Sequence, residues 1–79
     1  MYFVYAIQSY KDCRIYVGMC VDVEVRLKEH NSGKTRSTKG FIPWRLIYKE
    51  EVGERIEARK RELYLKSGIG KEFLKSLVP

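Results

Sequence analysis

Arg26 and His30 stand four residues apart in a segment, DVEVRLKEHNSG (22–33), whose pattern is helical. Both side chains then share one face of that helix, with Cβ atoms about 5–6 Å apart, and one phosphate could meet both. A guanidinium offers fixed, always-charged donors to phosphate oxygens, the geometry that stabilises the added negative charge of a phosphoryl-transfer transition state. His30, the chain's single histidine, can hydrogen-bond a phosphate or a neighbouring hydroxyl and relay a proton. Tyr5 and Tyr16, eleven residues apart, fall in strand-like segments. A phenol with an unperturbed pKa of about 10 is a poor base, but a nearby arginine and metal-bound water lower the cost of its anion, so it can activate an attacking water. Glu62 stands without an acidic partner beside it, and a single carboxylate suits one Mg²⁺, which keeps most of its waters and takes its other ligands from phosphate oxygens. Spacing alone favours plainer accounts. Arg26 could pair with Asp22 and Glu62 with Lys66 at i, i+4, the tyrosines could be packing groups, and His30 could be a surface group favoured by the helix dipole.

These residues need elements to position them. Residues Tyr2 to Ile7 form an apolar, β-branched and aromatic run, and a polar stretch then leads to Ile15-Tyr16-Val17-Gly18, which predicts a hairpin of two strands. Asp22 as N-cap and Asn31-Ser32-Gly33 at the far end bracket the first helix. Pro43 should start a third strand, Trp44 to Glu50, with Gly53 breaking it. Residues Glu54 to Ser67, rich in Glu, Arg, Lys, Leu and Ala, predict a second helix closed by Gly68, and Lys71 to Leu77 a short final one. The expected order is β-β-α-β-α-α. The first two strands are joined too tightly for a parallel crossover, so the fold class is α+β, a small three-stranded antiparallel-type sheet flanked by helices.

With 79 residues the chain is expected to form one domain over 1–79, and 44% hydrophobic content excludes disorder as its main description. Two cysteines, Cys13 and Cys20, are too few for a disulfide framework and lack the paired spacing of a zinc site. No apolar run approaches the roughly 20 residues of a membrane span, and the N-terminus has neither a basic n-region nor a cleavage site, so the chain reads as soluble and cytoplasmic. Sixteen Lys+Arg against ten Asp+Glu give +6, which points to an anionic partner. Between Asn31 and Lys49 there is no acidic residue, and Lys34, Arg36, Lys39, Arg45 and Lys49 are interleaved with Ser37, Thr38 and Trp44, a composition suited to tracking a nucleic-acid backbone. Arg55, Arg59, Lys60 and Arg61 add to this charge. No base-reading module is present, so recognition of structure or phosphates is expected over recognition of sequence.

Taken together, Phe3-Val4-Tyr5, Tyr16-Val17-Gly18, Arg26 and His30 on the first helix, and Glu62 within EARKRELYLK resemble the GIY-YIG nuclease family over nearly the whole chain. The likeness is to small single-domain members related to the N-terminal nuclease domain found in the excinuclease ABC system. The first triplet has Phe3 in place of glycine, as stand-alone members often do, and the chain departs from those members at Cys20, where Thr or Ser is usual, and at Val25, which replaces the first of two paired arginines. None of these carries a proposed catalytic role. The resemblance implies that Tyr16 is the general base, that Tyr5 positions, and that Glu62 is the metal ligand.

The expectation is therefore a metal-dependent DNA endonuclease acting in repair or recombination. Tyr5, Tyr16, Arg26, His30 and Glu62 form its catalytic set, with a single Mg²⁺ or Mn²⁺ on Glu62. Gly18, which permits close approach of backbone or phosphate, joins Lys34, Arg36, Lys39 and Arg45 in contacting nucleic acid. The chain would work as a monomer or weak homodimer, alongside a partner protein supplying specificity. The alternative is a non-catalytic nucleic-acid-binding module that needs a partner for cleavage. A basic protein on anionic membranes ranks last, because no helix divides cleanly into basic and bulky apolar faces.

Overall fold

The computed structural model describes all of residues 1–79. Strand β1 (Tyr2–Ser9) and strand β2 (Ile15–Cys20) form the expected hairpin, helix α1 (Val23–Asn31) follows, and a 3-10 turn (Lys39–Phe41) precedes strand β3 (Trp44–Gly53). Helices α2 (Arg55–Lys66) and α3 (Gly68–Lys75) complete the chain. The sheet has the order β2-β1-β3, antiparallel throughout, with the N-terminal strand in the middle. This is the α+β order read from the sequence. No helix is long and apolar enough to cross a membrane.

Strand periodicity divides the core in two. Val4 and Ala6 of β1, with Val17 of β2, pack against Ala58 and Leu65 of α2 and Leu74 of α3. Tyr5 and Ile7 face the other way, onto Val23 and Leu27 of α1 and onto Trp44. The central strand is thus buried on both sides, which explains its unbroken apolar run. A bulge between Ala6 and Ile7 in the β1–β3 ladder leaves Ile47 without a partner.

Asp22 starts α1 as expected, its carboxylate accepting from the Val25 backbone N–H at 3.1 Å. The junction after α2 differs from the sequence expectation. Gly68 does not close a helix but opens α3, because Ser67 ends α2 in extended backbone and its hydroxyl accepts from the Gly70 N–H. A Cβ at Gly70 would lie 2.2 Å from the Tyr64 carbonyl oxygen, so only glycine lets α3 fold back this closely on α2.

Candidate active site

Four side chains named from the sequence converge on one cavity. Tyr5 of β1, Tyr16 of β2, Arg26 of α1 and Glu62 of α2 line a space of about 590 Å³ together with Tyr2, Gly18, Met19, Arg55 and Arg59. Strand β2 is a sheet edge, and residues from both of its faces take part, Tyr16 and Gly18 on the α1 side and Met19 on the α2 side. The cavity therefore wraps around this edge, which is how a helix on each face of the sheet can contribute to a single site.

Register sets the two tyrosines. Tyr5 lies opposite Gly18, and Tyr16 lies opposite Ile7, two residues further along β1. The tyrosines are diagonal neighbours on one face, within reach of each other for aromatic side chains. A Cβ at Gly18 would stand 2.6 Å from Tyr5 Oη and 2.8 Å from its Cζ, so the group admitted by this glycine is the Tyr5 phenol itself. Tyr5 is buried, and its hydroxyl shares a 2.8 Å hydrogen bond with His30 Nε2. Burial pushes its pKa up to about 12, against the pull of the Arg26 guanidinium beside it. The Tyr16 ring is held edge-on by His30, at 5.1 Å between centroids, and by Trp44, at 6.4 Å.

His30 is completely buried, which rules out the surface role for it. Its Nδ1 lies 2.8 Å from Thr38 Oγ1, so both ring nitrogens are engaged within the protein and neither faces a phosphate. Burial lowers its pKa, and Arg26 on the same helix lowers it further, against a smaller opposing pull from Glu29. Arg26 does not pair with Asp22, which is occupied as the helix cap; its Nη1 donates to Glu29 at 2.9 Å across a half-exposed surface, leaving the rest of the guanidinium facing the cavity.

Glu62 is buried to 8% side-chain exposure, and both carboxylate oxygens are bonded. Arg59 donates to Oε1 at 2.7 Å and Lys66 to Oε2 at 3.0 Å, so the i, i+4 pair seen in the sequence is formed together with an i, i+3 pair. Burial alone would raise the acid's pKa, but these two cations outweigh it and hold the carboxyl below the usual glutamate value. Arg59 and Lys66 themselves keep 56% and 42% of their side-chain surface in solvent.

A divalent ion implied by the sequence reading fits this donor set in one form only. Nowhere do three acidic, histidine or cysteine side chains cluster as metal ligands. A buried, ionised single carboxylate facing an open, polar cavity matches a hydrated Mg²⁺ or Mn²⁺ that completes its shell with water and substrate oxygens. It does not match an all-protein zinc or calcium cage.

Of the residues expected to touch nucleic acid, Gly18 lines the cavity and the others do not. Lys34, Arg36 and Lys39 are exposed on the loop between α1 and β3. Arg45 is tied to Gln8, donating from Nη2 at 2.7 Å, and its guanidinium lies over Tyr10. The cations that do line the cavity besides Arg26 are Arg55 and Arg59. They share the face of α2 that carries Glu62, at the i, i+4 and i+7 spacing that the sequence displays once Glu62 is taken as the reference point.

Residues 1–73 match the family described as the GIY-YIG catalytic domain. The chain is 34% identical to a UPF0213 protein of Staphylococcus haemolyticus over 96% of its own length and 93% of the relative's. It is 38% identical to a UPF0213 protein of Syntrophus aciditrophicus over 81% and 75% of the two lengths. The solution NMR structure of a UPF0213 protein from Bacillus halodurans superposes with a TM-score of 0.58 at 37% identity, covering 98% of this chain and 85% of that one.

Proposed function

Because this chain belongs to the GIY-YIG catalytic-domain family, we propose that it is a metal-dependent endonuclease that hydrolyses phosphodiester bonds of DNA, directed by the structure of its substrate rather than by base sequence. The observation that carries this reading is the convergence of Tyr5, Tyr16, Arg26 and Glu62, from four separate elements, on one cavity. A cavity lined by Arg26, Arg55 and Arg59 against one carboxylate favours a phosphate diester over a neutral substrate.

Each residue has a role its surroundings support. Arg26 binds the scissile phosphate through the part of its guanidinium turned away from Glu29 and meets the charge that develops on the phosphoryl oxygens. Tyr16, partly exposed and with its ring fixed against His30 and Trp44, takes the proton of the attacking water. Tyr5 cannot do so near neutrality, since burial holds its pKa at about 12; it positions Tyr16 and the phosphate from its diagonal place on β1. His30 acts through Tyr5, as a positioning residue. Glu62 would hold Mg²⁺ or Mn²⁺, releasing Arg59 and Lys66 to the substrate or to solvent, and the bound ion would supply charge stabilisation for the leaving oxygen. One chain has one such set, so one strand is cut per event. Service in repair or recombination, where cutting is directed by DNA structure, suits a chain with no base-reading element.

One observation favours a second reading, in which the chain binds nucleic acid without cutting it: both Glu62 oxygens are neutralised by Arg59 and Lys66 with no need of a metal. The two readings separate on incubation of the purified chain with labelled linear, flap and branched DNA in Mg²⁺ or Mn²⁺. Arg26→Ala and Glu62→Ala variants, checked for folding by circular dichroism, serve as controls. Cleavage by the parent and loss in both variants supports the nuclease. Salt-sensitive binding that survives Glu62→Ala, with no product from any substrate, supports the binding module.

A further inference from the structure

Thr38 is the one fully buried residue of a loop whose neighbours Arg36, Ser37, Lys39 and Gly40 are all exposed. Its burial is unusual for a threonine in a basic surface loop, and its polar atoms are all engaged. Its backbone N–H donates to the Thr35 carbonyl at 3.1 Å, its own carbonyl accepts the Trp44 indole N–H at 2.9 Å, and its hydroxyl lies 2.8 Å from His30 Nδ1 and 3.4 Å from the Thr35 carbonyl oxygen.

Two proton inventories fit this chain of contacts, and one of them keeps every proton within the protein. In that one the Tyr5 hydroxyl donates to His30 Nε2, 2.8 Å away, since Arg26 beside it has no acceptor to offer. A neutral imidazole that accepts at Nε2 carries its own hydrogen on Nδ1. That Nδ1–H donates to Thr38 Oγ1, whose hydroxyl proton in turn faces the Thr35 carbonyl. Every donor then has an acceptor, and no buried side-chain polar atom is left without a partner.

We propose that Thr38 is a positioning residue of the active site: it fixes His30 in the Nδ1–H form, which commits the Tyr5 proton to the histidine and leaves the lone pairs of Tyr5 Oη facing Arg26 and the cavity. The consequence for catalysis rests on the nuclease reading, whereas the tautomer does not. Without the threonine hydroxyl, an Nδ1–H would be a buried donor with no acceptor. The hydrogen would move to Nε2, which would then donate to Tyr5 Oη and turn the tyrosine proton outward, into the place where a phosphate oxygen and Arg26 must meet. Thr38 also lies between Arg36 and Lys39, so it joins the basic loop to the tyrosine through His30.

The test is the ¹⁵N spectrum of the imidazole in the chain's only histidine, recorded on the parent, Thr38→Val and Thr38→Ser, with cleavage kinetics beside it. The parent and Thr38→Ser are expected in the Nδ1–H form and Thr38→Val in the Nε2–H form. On cleavage, kcat should fall about ten-fold in Thr38→Val, the kinetic equivalent of one lost hydrogen bond, with the DNA dissociation constant unchanged and Ser restoring the rate. An Nε2–H histidine in the parent overturns the proposal even if the valine variant fails to fold, and so does an unchanged tautomer in a folded Thr38→Val. If the tautomer switches as expected while no variant, nor the parent, cuts DNA, the positioning stands and the nuclease reading falls.

Discussion

The missing side chain of Gly18 is occupied by Tyr5: a Cβ there would lie 2.6 Å from the tyrosine oxygen and 2.8 Å from Cζ, on a ring that is itself buried and hydrogen-bonded to His30. Neither partner can give way without breaking that hydrogen bond or tilting the ring out of the core. Gly18→Ala is therefore expected to destabilise the fold by about 1–3 kcal/mol, the usual scale of overpacking, in urea denaturation. Tyr5→Phe removes the nearest atom but not Cζ, so the double variant should recover part of the loss. Strict additivity of the two changes would show that the contact does not exist in solution.

Glu62→Gln separates stability from chemistry. The partners it leaves, Arg59 and Lys66, are exposed and can be hydrated, but the carboxylate is buried, so the fold should lose about 1–3 kcal/mol. Divalent-dependent cleavage should disappear. The carboxyl is held below its ordinary value of 4.5 in the folded state, so its stabilisation is fully present above that pH and is lost as pH falls through the lower, folded value. Stability curves of the parent and Glu62→Gln should thus converge below pH 4.5 and stand apart above it. Curves that stay parallel down to low pH would mean that the ion pairs do not favour the charged acid.

The six principal elements and their order were legible in the sequence because each is announced by local chemistry: an apolar strand run, the Asp22 cap, the aromatic run after Pro43. The α2–α3 junction was not, since Ser67 acts on two helices at once and the space that Gly70 must leave empty belongs to Tyr64 and Leu65. The convergence of Tyr5, Tyr16, Arg26 and Glu62 could be expected only from the resemblance, because a site that wraps a sheet edge joins residues on opposite faces. Arg55 and Arg59 were readable as one helix face with Glu62, but a solvated face has the same spacing. Arg45 found its partner Gln8 through strand pairing, and Thr38 found His30 through the path of a loop, neither of which local sequence encodes.

His30 titrates alone, being the only histidine. Burial and the nearby Arg26 depress its folded pKa, so the unfolded chain takes up a proton that the folded chain refuses. Stability from this group is fully present above the ordinary histidine value of 6.5 and is lost as pH falls from there through the folded pKa. Proton NMR of the ring should show a midpoint below 6.5, and the acid-side slope of stability should flatten in His30→Gln. A midpoint at or above 6.5 would contradict the burial and the neutral imidazole together.

Arg26→Lys keeps the charge and loses the fork. The ion pair with Glu29 is half-exposed, so thermal stability should change by less than about 1 kcal/mol. Cleavage should nevertheless fall about 10²-fold in kcat, because an ammonium cannot present two parallel donors to a phosphoryl group in the transition state. Equal rates in the two proteins would mean that Arg26 contributes only a point charge.

Two groups of cations can be told apart by salt. Arg55 and Arg59 line the cavity, whereas Lys34, Arg36 and Lys39 lie on the exposed loop that Thr38 anchors. Each phosphate contact removed lowers the slope of log affinity against log salt by about 0.9. Replacing the cavity pair by glutamine should therefore reduce the slope by about 2, and replacing the loop triple by about 3. On the proposed nuclease reading, replacing the cavity pair should also depress kcat, since Arg59 shares Glu62 and both arginines line the cavity. The loop triple should weaken binding and leave kcat close to the parent's, because none of its side chains lines the cavity. If the loop triple leaves the slope untouched, the DNA path runs along α2 alone, and the acid-free stretch from Asn31 to Lys49 is solvated surface.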